Sequence, residues 1–146
     1  MSYKNGNMKT IELHENGLDI QFRIRENGVV ELVDFSSQEV KKAAIKPKED
    51  IYYPAVEIHR SGTGSLNMHA YKNNINQSSV DFVYENHELK EQEGGKELEI
   101  VMVSPEKLKA VYHMRLFDGI PAVQTWTEIT NEGSEEQGLT HVSSFI

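Results

Sequence analysis

Hydrophobic and polar residues alternate with a period of two over most of the chain, and that pattern predicts β-strands. Leu18, Ile20, Phe22 and Ile24 interleave with Asp19, Gln21, Arg23 and Arg25. Before them, Ile11 and Leu13 alternate with polar neighbours. After them, Val29 to Phe35 reads as a third strand. Asn16-Gly17 and Asn27-Gly28 separate the three runs. Asn-Gly between alternating runs marks a hairpin, because a type I′ turn needs positive φ at both central positions. A three-stranded meander is therefore expected at the N-terminus.

The pattern breaks over residues 36–53, where Gln38 to Ile45 can form one short helix ended by Pro47. Ala55 to His59 reads as a short strand. Ser61 to Ser65 reads as a glycine-containing loop, and Asn73 to Ser79 as a polar, irregular stretch. Alternation returns at Val80, Phe82 and Tyr84, and again at Leu98, Ile100 and Met102 after a turn at Gly94-Gly95. Leu108, Ala110, Tyr112, Met114 and Leu116 then form one face of a further strand. Residues 120–131 carry apolar groups on both faces, so they are expected to form a central strand covered on both sides. Leu139 to Ile146 has the look of a strand cut before its turn. The fold class expected is all-β: an antiparallel two-sheet sandwich with at most one short helix, formed by residues 1–146 as a single domain.

Composition narrows the functions. Charged residues make up 26% of the 146 positions and the formal net charge is −8, which disfavours binding to nucleic acid phosphates. No apolar run approaches the about 20 residues that span a bilayer, so no membrane partner is expected. The chain has no cysteine, which removes disulfides and thiolate metal sites and fits a reducing, cytoplasmic setting. No cofactor is implied.

The candidate chemistry is sparse. Ser61, Gly62, Thr63, Gly64 and Ser65 lack the Gly-Lys-Ser/Thr and following helix of a phosphate-binding loop. The six histidines show no metal-ligand spacing, so no metal is expected and the domain is expected to fold without one. Sugar mutarotases pair a His with a carboxylate. His87 or His113 with Glu57 or Glu128 would be candidates here, but no spacing selects one pair. The glutamates fall in turns or on polar strand faces, and no pair is marked as glycosidase-like, so no catalytic residue is assigned. Trp126, the sole tryptophan, reads as core or as a sugar-stacking platform. Tyr52 and Tyr53, which precede Pro54, read as a contact surface or as packing beneath the preceding loop.

Asp118-Gly119-Ile120-Pro121, followed by Trp126-Thr127-Glu128-Ile129-Thr130-Asn131-Glu132-Gly133, resembles a segment near the end of the N-terminal β-domain of family 36 glycoside hydrolases, the bacterial α-galactosidases. Tyr53-Pro54 with Gly62-Thr63-Gly64, the run Val80 to Leu89, and Ser143-Ser144-Phe145 resemble other parts of the same domain. The family's acidic-aromatic-Arg cluster after the glycines is replaced here by Ser65 to Ala70. The resemblance implies a supersandwich fold like that of galactose mutarotase. It also implies a non-catalytic N-terminal domain truncated at its C-terminal end. Such a domain would pack against a downstream catalytic barrel that is absent from this chain and would support homo-oligomer assembly. The parent would be a retaining α-galactosidase whose catalytic aspartates lie on that barrel. Tyr52, Tyr53, Ser65, Trp126 and Phe145 are the contact-surface candidates. An independent carbohydrate-binding sandwich and a mutarotase-like enzyme are the alternatives.

Overall fold

The structure is a computed structural model, and it describes residues 8–38, 52–64 and 77–145. In chain order the elements are β1 (Lys9–Glu15), β2 (Leu18–Ile24), β3 (Val30–Ser37), β4 (Ile58–Arg60), α1 (Gln77–Asp81), β5 (Val83–Gln92), β6 (Gly95–Val103), β7 (Leu108–Phe117), β8 (Ile120–Asn131) and β9 (Leu139–Val142). All strand pairs are antiparallel. The sheets are β1-β2-β3, β4-β9 and β5-β6-β7-β8.

The expected meander is present. Asn16 and Gly17 have φ of 52° and 83°, as a type I′ turn demands. The second turn differs: at Asn27-Gly28 only Gly28 has positive φ, at 87°. The Arg25 amide donates to the Val29 carbonyl and the Gly28 amide to the Arg25 carbonyl, giving a longer hairpin loop. Gly28 is required there for a second reason. A Cβ on it would lie 2.8 Å from the Val83 Cβ, at the point where Val29 bridges to Val83 and ties the meander to β5.

Each sheet contributes its apolar face to one core. Ile11, Leu13, Ile20 and Phe22 from the meander join Leu98, Ile100, Met102, Ala110, Tyr112 and Met114 from β6 and β7. Phe22 meets Tyr112 edge-to-face between the layers, with ring centroids 5.7 Å apart. This is the geometry the ring quadrupoles favour. The Tyr112 hydroxyl is buried without a hydrogen-bond partner among the described residues, and burial pushes its pKa well above the ordinary tyrosine value.

Two local expectations are corrected. Val80 does not open a strand: residues 77–81 form α1, and β5 starts at Val83. The Ser79 hydroxyl accepts from the Ile58 amide at 2.9 Å and donates to the Ile58 carbonyl at 3.1 Å. The Ser78 hydroxyl accepts from the Arg60 amide at 3.1 Å. These bonds hold the helical turn against β4, and they override the alternation of Val80, Phe82 and Tyr84. Residues 120–131 are not central either. β8 lies at the end of the four-stranded sheet, and the covered strands are β6 and β7. Its apolar residues divide between the core, where Val123 and Ile129 pack, and the solvent side, where Ile120 is exposed. The helix expected over Gln38 to Ile45 lies outside the described residues beyond Gln38, as does Ser65.

Candidate functional site

The outward face of the four-stranded sheet carries a polar cluster. Strand alternation places Glu97 and Glu99 on that face of β6, opposite Leu98 and Ile100, which point into the core. Register sets His113 of β7 directly across from Glu99, and Trp126 of β8 directly across from His113. The His113 Nδ1 lies 2.9 Å from Glu97 Oε1 and 3.8 Å from Glu99 Oε1. Its Nε2 lies 3.6 Å from Glu128 Oε1. The rings of His113 and Trp126 stack in parallel, 4.6 Å between centroids and 5° between planes.

The remaining carboxylate oxygens are held from β5. Lys90 Nζ donates to Glu99 Oε2 and Gln92 Nε2 to Glu97 Oε2, each at 2.6 Å. The hydrogen bond to Glu99 raises the Lys90 pKa above the ordinary lysine value. Glu97, Glu99 and His113 offer three ligand atoms that all lie within 4.8 Å of one another.

The cluster bears on the acid–base pairs considered from sequence. Of those pairs the structure brings together His113 and Glu128, whereas His87 bonds to the Tyr84 hydroxyl and Glu57 to His59. His113 is nonetheless buried, with its Nε2 closed off from solvent beside Trp126. It therefore cannot reach a sugar ring as an acid or base without rearrangement. Glu97 and Glu99 are close carboxylates, but both are bonded to neighbouring side chains, Glu97 to Gln92 and His113 and Glu99 to Lys90. A glycosidase pair instead flanks an open cleft.

A second region surrounds Glu31, which is 0% exposed. Arg23 Nε donates to Glu31 Oε2 at 2.8 Å, and Arg25 Nη2 lies 2.9 Å from Oε1. The Tyr53 amide also donates to Oε1, at 2.9 Å. The Arg25 guanidinium stacks over the Tyr52 ring at 4.2 Å, and the Tyr52 hydroxyl accepts from Asn27. Tyr52 is therefore half-buried packing, and Tyr53 is the exposed member of the pair, at 48%. Phe145 is 46% exposed and meets Phe35, 40% exposed, edge-to-face at 5.2 Å. Sequence reasoning found Phe145 but missed Phe35, which the bulge between Gln21 and Phe22 sets across from Ile20 on the core-facing side of the meander, where it is nonetheless exposed.

The fold is similar to that of the GH36 α-galactosidase AgaA from Geobacillus stearothermophilus. The likeness covers 90% of this chain and 23% of that enzyme, with a TM-score of 0.62 and 13% sequence identity. A variant of AgaA in complex with raffinose gives the same coverage and identity, with a TM-score of 0.59. This chain thus spans less than a quarter of the enzyme it resembles, and it shares with that part an all-β antiparallel sandwich. No protein-family model matches the chain, and no curated protein matches it.

Proposed function

We propose that this chain is the non-catalytic N-terminal β-sandwich domain of a larger α-galactosidase. It packs against a catalytic barrel, supports oligomer assembly and works in the cytoplasm. The observation that carries this reading is the coverage: nearly the whole chain shares its fold with less than a quarter of an α-galactosidase. The side-chain chemistry supports it. The polar groups of the outward face are turned toward one another rather than toward a cleft. The exposed aromatics Tyr53, Phe35 and Phe145 suit a surface covered by another domain or another subunit. Hydrolysis of terminal α-galactosides would then be performed by the barrel, with this domain contributing stability and assembly.

The aromatic surface supplies a test. In the isolated chain, the exposed Phe35–Phe145 pair can bury itself against a second copy. Light scattering on the isolated chain should show apparent mass rising between micromolar and millimolar concentration. Phe145→Asp or Phe35→Asp should suppress the rise while the thermal midpoint stays within a few degrees, because both side chains lie largely outside the core. A strict monomer throughout, or association unchanged by both substitutions, would count against this surface as a packing face.

A further inference from the structure

We propose that Glu97, Glu99 and His113 form a binding site for a divalent transition-metal cation of the zinc type. The three ligand atoms come from paired strands, so the sheet itself positions them. Glu97 and Glu99 are two residues apart on β6, and His113 is the cross-strand partner of Glu99. The separations from Nδ1, 2.9 Å to Glu97 Oε1 and 3.8 Å to Glu99 Oε1, bracket the spacing a metal needs. Tetrahedral zinc with bonds of about 2.0–2.2 Å sets its ligand atoms about 3.3 Å apart. Small side-chain rotations therefore bring the three atoms onto one ion, with water completing the coordination from the solvent side of Glu99.

The outer partners point the same way. Both carboxylates have their second oxygen held by a neighbour, and the second ring nitrogen of His113 faces a carboxylate. Gln92 holds Glu97 Oε2, Lys90 holds Glu99 Oε2, and Glu128 faces His113 Nε2. Metal sites orient their ligands in this manner, most characteristically with a carboxylate behind the histidine. Trp126 fixes the plane of the imidazole.

An independent observation comes from His113 itself. Its side chain is 8% exposed, and its Nε2 is buried with no hydrogen-bond partner while facing the Glu128 carboxylate. When Nδ1–H donates its hydrogen bond to Glu97, the Nε2 lone pair is buried against a carboxylate oxygen. A cation on Nδ1 moves the proton to Nε2, where Glu128 accepts it. The ion also offsets the three carboxylates Glu97, Glu99 and Glu128, beside which lie Lys90, bonded to Glu99, and Arg115, across from Glu97. One imidazole with carboxylates favours zinc or cobalt over calcium or magnesium, which take oxygen ligands in larger numbers. The site lies on a sheet whose core is complete without it. Metal should therefore add stability by mass action and should not be needed for folding.

The test uses the untagged chain after treatment with EDTA. The EDTA-treated chain should stay folded by circular dichroism. Calorimetric titration with zinc chloride should then show one ion per chain and a rise in the thermal midpoint, and magnesium or calcium chloride at the same concentration should show neither. Cobalt(II), bound against the ring that stacks on the sole tryptophan, should quench its fluorescence saturably. Glu99→Gln should weaken zinc binding and cobalt quenching by more than tenfold, and Glu128→Gln by a smaller factor. His59→Gln with His141→Gln, two histidines outside this cluster whose ring centroids lie 5.1 Å from each other, should leave both unchanged. His113→Gln should abolish binding, and if it misfolds, Glu99→Gln still decides, since that side chain is less buried. An absence of saturable zinc binding would overturn the proposal and leave Glu97, Glu99 and His113 as a hydrogen-bonded polar cluster. Binding that persists at equal affinity in Glu99→Gln would overturn it as well.

Discussion

Phe22→Ala should lower the unfolding free energy by about 3–5 kcal/mol, the range for removing a buried aromatic side chain. Phe22 is 0% exposed and sits between the two sheets against Tyr112. The substitution removes the ring's transfer energy and leaves a cavity. It also cancels the edge-to-face contact, which is worth about 0.5–1.5 kcal/mol by itself. Domains of this size hold about 5–15 kcal/mol in total, so a large part of the stability goes at once. Tyr112→Phe is the matching control. It keeps the ring and removes a buried hydroxyl with no partner among the described residues, so it should be neutral or stabilising. Urea unfolding of the three proteins, compared at equal m-value, checks both signs. A Phe22→Ala protein within about 1 kcal/mol of the parent would mean that the two sheets are not packed through this contact.

Glu31→Gln should cost about 3–5 kcal/mol, the range for breaking a buried ion pair by removing one member. Its carboxylate is the acceptor for Arg23, Arg25 and the Tyr53 amide, and glutamine keeps the shape while removing the charge. Two guanidiniums would then stay buried beside a neutral amide. The loss should be nearly insensitive to salt, since buried pairs are screened far less than exposed ones. The damage should also appear locally, because Arg25 carries Tyr52 and Glu31 holds Tyr53. Amide hydrogen exchange should speed up at Tyr53 and at Leu32, which donates to the Tyr53 carbonyl. Replacing Arg23, Glu31 and Arg25 together by apolar residues should recover much of the loss, because the uncompensated charge and not the missing salt bridge carries most of it.

Much of the sheet register was legible in the sequence, and where it was not, bulges were the reason. Ser104 to Lys107 forms a tight connection between β6 and β7, and counting outward from it pairs Glu99 with His113. Alternation had already put both residues on the polar face, so the Glu97–Glu99–His113 group could have been found. Scanning for helical ligand spacing passed over it. Trp126 is different. From the Asp118-Gly119 turn, Phe117 pairs with Ile120, and an unbroken ladder would put Gln124 across from His113. A register shift between Leu116 and Phe117 instead brings Trp126 there. The shift spans two residues, so face assignments survive while partners change.

The misreading of β8 has a compositional cause. Apolar residues on both faces normally mean burial on both faces, but here the second apolar set is one tryptophan satisfied by a histidine ring and a hairpin tip left in solvent. The α1 turn was hidden for another reason. Its stabilising bonds run from Ser78 and Ser79 to β4, about 20 residues away in the chain, and no local pattern encodes them. Glu31 was likewise unmarked, because a carboxylate on an alternating strand looks solvated until the two arginines on the neighbouring strand and its end are placed around it.

Under the proposed function, this chain assists α-galactoside hydrolysis without performing it. Assay of the purified chain with an aryl α-galactoside, at high protein concentration and after two independent purification routes, tests that claim most directly. The expected result is release of the phenol at the rate of the buffer blank, the same for the parent chain and for Glu97→Gln and Glu128→Gln. Turnover that follows the protein through both purifications and disappears in either substitution would contradict the claim and place a catalytic carboxylate on the outward face of this sheet.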